Sequence, residues 1–419
     1  MSLDEKKKDG RTSSEHPITR RDFGRLASIF GFTVAFGSLE KLAMAKQPIT
    51  YASAKATAQK IKDAESKNTP DYVIRFGISG HTPKTMAIFP IGYYKFAEEL
   101  SKKTDGRIKV ELFGANSLCN EISCPQKVLT STLEMAGCST QNAAQTYKFY
   151  NSIDYPFLFP SRASMHYFLY SDVCEKYFRK VMRDKYNVEF LWTSAELRDI
   201  FTGLKYKNKP RVRVPKDIAG AKIRVTGTDL GRIGLKLMGV NPIPLNWSET
   251  LEGLRSGVVD GQETMTCAVA SFNMAPVTSQ DIAVGFMSAT EHAMISHTFL
   301  KKLPTQLQED ILETAFEMQQ FTQRELERSL VETIGYQDPP KPGTIFDKGN
   351  VKVNILTTEE RNEWRKLADP AKNPDPYKAW RKRLTKMAGK DVFDIFYNFV
   401  REIPEDTPVD QIKPRRWWT

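Results

Sequence analysis

GAKIRVTGT, residues 220–228, is the stretch on which the reading of this chain turns. Between Gly220 and Gly227, the residues Lys222, Ile223, Arg224, Val225 and Thr226 alternate polar and apolar, the period of a strand with one face in a core. Ile223 and Val225 face inward on this pattern, and Lys222, Arg224 and Thr226 share the opposite face. In most globular proteins such a face is simply wet, so the question is what would make Arg224 more than a solvated charge. The segment feeds a helix expected from Thr228 to Met238 and then NPIPLNWS. Ser248 offers an N-cap and Gly257 a C-terminal stop for a short helix over Glu249–Ser256, after which comes VVDGQET.

Outward from this point, strand and helix signals alternate. Upstream, Tyr72–Phe76 and Ile108–Phe113 read as strands, separated by helical spacing of Tyr93, Phe96, Ala97 and Leu100 and by the stop Asp105-Gly106. A helix around Pro125–Leu133 leads to Met135–Cys138. This order predicts a parallel sheet with helices on its faces. Two helical stretches, Ser161–Tyr170 and Asp172–Lys185, then run into a strand at Val188–Trp192. A second α/β series starts near Ala195 with Ile200–Leu204. Thr305 and Gln308 have capping-box spacing ahead of a helix reaching about Glu332. After the prolines at 339, 340 and 342, Val351–Leu356 reads as a last strand and Thr358–Leu367 as a charged helix. The tail ends KPRRWWT, whose tryptophans suit a membrane-interface contact or, more commonly, docking on the same chain.

A chain of 419 residues with 40% hydrophobic and 26% charged side chains is long enough for two or three domains, which argues against disorder or a fibre. The net charge of +11 is scattered, so no nucleic-acid stripe is visible, although the excess favours anionic partners in general. The start reads as an export signal. Thr19-Arg20-Arg21-Asp22-Phe23 resembles the twin-arginine motif, Leu26–Leu39 is apolar but too short to span a bilayer, and Ala43-Met44-Ala45 suits a signal peptidase. The expected organisation is a cleaved signal over 1–45, a linker over 46–70 and a periplasmic mature chain. Cys119 and Cys124 can bridge in an oxidising compartment, buried free thiols being the commoner alternative. No GxGxxG after a strand, GxxxxGK[ST], HExxH or GxSxG is present. His292 and His297, five apart, miss the one-turn spacing of paired helical metal ligands. The weight therefore moves toward a binding protein with no cofactor and no metal.

The segments GRIKVELFGANSL (106–118), YPFLFP (155–160), LRDIFTGLK (197–205), DIAGAKIRV (217–225), GVNPIPLNWSETLEGLRSGVVDGQE (239–263) and KKLPTQLQEDI (301–311) together resemble the solute-binding proteins of tripartite ATP-independent periplasmic (TRAP) transporters. The resemblance covers roughly 70% of the chain, from about Tyr72 to about Leu367. It implies an α/β fold of two lobes hinged around a cleft, with a long helix spanning both. Lobe I would take 71–195 plus about 286–325, lobe II 196–285 plus about 326–368, and about 369–419 would be a C-terminal extension. The implied function is capture of a small organic acid and its delivery to a permease of small and large membrane subunits, with no bond made or broken. Carried over residue by residue, Arg224 clamps the substrate carboxylate, Arg198 assists, and Trp247 lies against the ligand. Thr264 stands where relatives often place an asparagine amide. Ser79, His81, Ser139, Thr140 and Gln141 follow strands of the first lobe, where cleft loops gather. No tryptophan follows Glu263, so the metal-assisted branch of the family is not matched. The rivals are a twin-arginine-exported enzyme with a bound cofactor and a ligand-sensing protein.

Overall fold

The computed structural model describes residues 69–419 and a few isolated positions before them; the signal expected over 1–45 and most of the 46–70 linker lie outside the described residues. By internal contacts the chain divides into one unit of Met1–Ile74 with Ala97–Leu112 and a second of Arg75–Phe96 with Phe113–Thr419. In the first unit, Tyr72 N–H donates to Arg107 O at 3.0 Å, and Arg107 pairs with Asp71 at 2.8 Å. Asp105 and Gly106 both take positive φ there, which lets the chain reverse between helix and strand as the Asp-Gly signal predicts.

Eleven strands are described: β1 Tyr72–Gly77, β2 Ile108–Phe113, β3 Met135–Ser139, β4 Val188–Thr193, β5 Glu196–Gly203, β6 Lys222–Val225, β7 Asn241–Pro244, β8 Gly261–Thr264, β9 Thr278–Ala289, β10 Glu291–Ser296 and β11 Lys352–Asn354. They form two sheets, ordered β2-β1-β3-β10-β4 and β11-β9-β5-β8-β6-β7. Both are mixed. β3 runs parallel to β1, whereas β10 is antiparallel to β3 and to β4, so the expectation of a purely parallel first sheet is corrected. The cause is a strand that arrives late in the chain and inserts between β3 and β4.

The chain passes from one sheet to the other three times, and two of the crossings, at Ser194–Ala195 and Thr290, are adjacent. Ser194 N–H donates to Glu291 O at 2.9 Å and Glu291 N–H to Ser194 Oγ at 3.1 Å, so the two crossings are tied together. A helix over Thr305–Arg328 continues as a π-helical segment, Ser329–Ile334, and stops at Gly335 with φ 87°. It packs on β4, where Gln319 exchanges two hydrogen bonds with the Thr193 backbone, and its far end meets the helix Thr266–Ser271. Its N-cap is Pro304, which has no side-chain acceptor, rather than a Thr305–Gln308 capping box. Likewise the helix placed at Glu249 begins at Trp247, with Asn246 rather than Ser248 as N-cap and Glu249 accepting Asn246 N–H at 3.3 Å.

Two hydrophobic cores result. One joins Phe149, Tyr155, Phe168, Phe178 and Phe190 to Tyr377, just before the helix Lys378–Ala388, to Leu384 of that helix and to Phe393 and Phe396 of the helix Val392–Phe399. The other packs Ile200, Ile223, Val225, Leu235, Ile282 and Phe286 under Trp364 of the helix Thr358–Ala368. The KPRRWWT tail docks on its own chain: Trp417 is 3% exposed and lies 4.2 Å from the Arg179 guanidinium. Among the described residues no helix is long and apolar enough to cross a membrane.

Candidate solute-binding pocket

Strand β6 lies between β7 and β8, and the face that its alternation leaves for solvent is covered. Arg224 is 1% exposed and Thr226 is buried. Parallel pairing sets Arg224 against Gln262, and Glu263 follows on the same strand. Nε of Arg224 donates to Leu245 O at 3.0 Å and the guanidinium carbon sits 5.3 Å from the centre of the Trp247 ring. Its Nη1, fully buried, finds no partner among the described residues. Burial pushes the Arg224 pKa down to about 10; Glu263 opposes this and Arg198 adds to it. A cation held in low dielectric with an idle donor is poised for an anion.

Arg198 is engaged differently. From β5 its Nε pairs with Glu263 Oε2, Nη2 donates to Glu263 O at 3.2 Å and Nη1 reaches Gln141 Oε1 at 3.4 Å. The second Glu263 oxygen accepts both Thr226 N–H at 2.7 Å and Thr226 Oγ at 2.9 Å. Glu263 thus neutralises Arg198 and leaves Arg224 as the arginine with a donor to spare.

These two arginines line one and the same pocket. Trp247, Thr264, His81 and Ser139 line it too. The other three residues singled out from sequence stand behind the wall. Ser79 donates to Gly137 O at 2.8 Å, Thr140 meets Thr290 hydroxyl to hydroxyl, and Gln141 bonds Asp154 at 2.7 Å. Each supports a lining element rather than facing the pocket.

Sequence reasoning missed several lining residues. Phe89 and Phe272 add aromatic walls, Phe272 meeting Trp247 edge-on at 5.3 Å. Glu121 and Glu291 bring acid. Glu121 lies in the loop closed by the Cys119–Cys124 disulfide, so the bridge left open by the spacing is formed. Its Oε2 accepts from Ser139 N–H at 2.9 Å, Ser139 Oγ at 3.0 Å and Asn142 Nδ2 at 3.2 Å. Glu291 opens β10 opposite Ser139 and accepts from Tyr93 Oη at 3.3 Å. His81 Nε2 is 3.2 Å from Glu291 Oε1. The loop carrying His81 packs so closely on Gly114 that a Cβ there would sit 2.3 Å from His81 O. Burial, reinforced by the neighbouring Glu291, raises Glu121 to about 7. Burial alone raises Glu291 to about 8 against Tyr93 and Arg198, and it lowers His81 to about 4 against Glu121. A signal for Glu121 existed in its place after β2 between two cysteines; Glu291 had none, because β9 and β10 were not foreseen.

Two α/β lobes around a small buried pocket with an idle guanidinium define a solute-binding protein. Residues 80–373 match the family model of the bacterial extracellular solute-binding proteins, family 7 (DctP), and the chain belongs to that family. It is 28% identical over 269 residues to a solute-binding protein of Roseobacter denitrificans, covering 61% of this chain and 77% of the relative. It is 23% identical over 325 residues to the C4-dicarboxylate-binding periplasmic protein DctP of Vibrio cholerae, covering 76% and 91%. Among solved structures, the sugar acid binding protein of Advenella mimigardefordensis in complex with galactonate superposes with a TM-score of 0.64 at 21% identity, over 80% of this chain and 99% of that one. A TRAP periplasmic solute-binding protein of Sulfurospirillum deleyianum with bound succinate gives 0.60 at 20%, over 78% and 99%. At such identities the structures share the fold.

Proposed function

We propose that this protein captures a small organic acid with a carboxylate held by Arg224, and hands it to a TRAP permease of small and large membrane subunits. The observation that carries the reading is the fully buried Arg224 Nη1, lining the pocket with no protein partner among the described residues. A carboxylate meets a guanidinium in a planar two-donor fork, and closure that excludes water strengthens the bond. Arg198 acts through Glu263 and Gln141 to stiffen the wall. Trp247 covers the apolar part of the ligand, and Thr264, His81 and Ser139 offer polar contacts. Ser79, Thr140 and Gln141 hold those contacts in place from behind.

Related proteins support a small acid, with succinate and galactonate bound in two of the solved structures. The remainder of the reading is a lobe I of 71–195 plus about 286–325, a lobe II of 196–285 plus about 326–368, and an extension from about 369. Export follows the twin-arginine route with cleavage after Ala45. The test is mass spectrometry of ligand released from freshly purified protein, followed by calorimetric titration of that compound. Recovery of a carboxylic acid that rebinds one per chain supports the proposal. A ligand without an acidic group, or none among C4-dicarboxylates and sugar acids binding, refutes it.

A further inference from the structure

The pocket holds two carboxylates and an imidazole that the acid-binding reading does not need. Among the described residues, His81, Glu121 and Glu291 each bring one donor atom to a common point, all within 4.8 Å of one another. At tetrahedral angles two metal bonds of about 2.1 Å hold their donors about 3.4 Å apart, so the three donors must draw together by up to about 1.4 Å to close on one ion. We propose that His81, Glu121 and Glu291 form a divalent transition-metal site in the pocket wall.

Three features of the cluster point to a ligand. The His81 ring is 3% exposed, and its Nε2 is the nitrogen placed against the acids, 3.2 Å from Glu291 Oε1. Glu121 is oriented from behind: Ser139 and Asn142 occupy its Oε2 and leave Oε1 for the pocket. Such outer contacts are what aim a carboxylate at an ion. Glu291 is fixed by strand pairing opposite the same Ser139 and by the Tyr93 hydroxyl. The disulfide and the sheet register therefore fix the two acids against each other.

Charge favours the same occupant. Two carboxylates in one buried wall repel each other, and the nearby Arg198 is committed to Glu263. Arg224 lines the same pocket and offsets part of this charge; a dication offsets the rest and leaves net positive charge for an incoming carboxylate. The mixed nitrogen and oxygen donor set suits Mn²⁺ or Zn²⁺ better than Ca²⁺, which prefers oxygen alone. Three protein donors also leave coordination positions open, and Arg224 Nη1 lines the same pocket. An acid held by Arg224 can then give a second oxygen to the ion. That last step rests on the proposed function; the ion site itself does not. The inference departs from the metal-free expectation drawn from the residues after Glu263, because its ligands come from three separate parts of the chain.

The test uses untagged, signal-processed protein stripped with chelator and titrated with Mn²⁺ and with Zn²⁺, without any organic acid. Calorimetry and elemental analysis after gel filtration should find one ion per chain. Glu121→Gln and Glu291→Gln, which keep shape and remove charge, should each weaken binding by about 100-fold or more, a loss at or above that typical of second-shell changes. Melts without metal verify that both variants fold, and His81→Gln provides a third variant if either does not. Arg224→Ala should keep the ion while losing the acid, which separates failure of this site from failure of the acid reading. An unmodified chain that retains neither ion, or an ion held equally well by the folded variants, overturns the proposal.

Discussion

Arg198 and Arg224 are both buried arginines of the same pocket, each 1% exposed, yet their replacement by alanine should give opposite signatures. Removing Arg198 strands Glu263, whose carboxylate is fully buried and shares its charge with that guanidinium. Breaking a buried pair in this way costs about 3–5 kcal/mol of folding stability. Removing Arg224 strands no paired charge. Its pKa of about 10 means that burial disfavours the charged form by about 3 kcal/mol at neutral pH, at about 1.4 kcal/mol per tenfold change in proton affinity. Against this stand the bond to Leu245 O and the contact with Trp247, together worth about 2–4 kcal/mol. The ligand-free Arg224→Ala protein should therefore melt within about 1 kcal/mol of the unmodified chain. Its affinity for the acid should fall about 150- to 5,000-fold, the equivalent of about 3–5 kcal/mol. Arg224→Lys retains charge without the planar fork and should bind weakly, though better than alanine. Melts and calorimetric titrations on the three variants distinguish the roles. If Arg224→Ala is strongly destabilised, or binds the acid as well as the unmodified chain does, the assignment of Arg224 as the carboxylate clamp is refuted.

In chelator-treated, ligand-free protein, Glu121, Asp154 and Glu196 are raised to about 7 and Glu291 to about 8 by burial. The folded chain thus holds more protons than the unfolded one over that range, and stability should fall by about 3–4 kcal/mol as pH rises from 6.5 to 8.5. Below about 6.5 the buried His81, His166 and His292, lowered to about 4, 3 and 3, oppose this, so a melting temperature that climbs between 6.5 and 8.5 would contradict the burial of these acids. Phe393→Ala removes a ring 4.8 Å from Tyr155 and should cost about 3–5 kcal/mol in denaturant titrations; a loss below 1 kcal/mol would mean that Val392–Phe399 is only loosely attached. Replacing Arg20 and Arg21 together with lysine should abolish periplasmic accumulation on cell fractionation, and undiminished export would rule out the twin-arginine route.

Much of the fold was legible because its signals are local. The alternation in Lys222–Val225, the Gly257 stop and the spacing of Tyr93, Phe96 and Leu100 each depend on a few neighbouring residues, and each element appears within a residue or two of its expected limits. β9 and β10 escaped because their polar positions are buried. Ser279, Gln280 and Asp281 lie inside the sheet, Gln280 bonding backbone and Asn354, so the apolar alternation that marks a half-wet strand is missing. The same blindness hid Glu291. Trp247 and Thr264 line the pocket, but only three dimensions show that Glu263 takes Arg198 and leaves Arg224. No local pattern brings His81, Glu121 and Glu291 together, since they meet through a disulfide loop and a strand pairing 150 residues apart in register.

The first core is completed by Tyr377, Leu384, Phe393 and Phe396, which pack against residues such as Tyr155 and Phe168 more than two hundred positions earlier. Until those late helices leave the ribosome, the earlier aromatics have no lid. Contacts this distant in sequence are slow to form, and partly assembled states with bare apolar surface aggregate. Burial of that core is therefore completed only near the end of synthesis, with chaperone demand concentrated in the interval between synthesis of Tyr155 and arrival of Phe396.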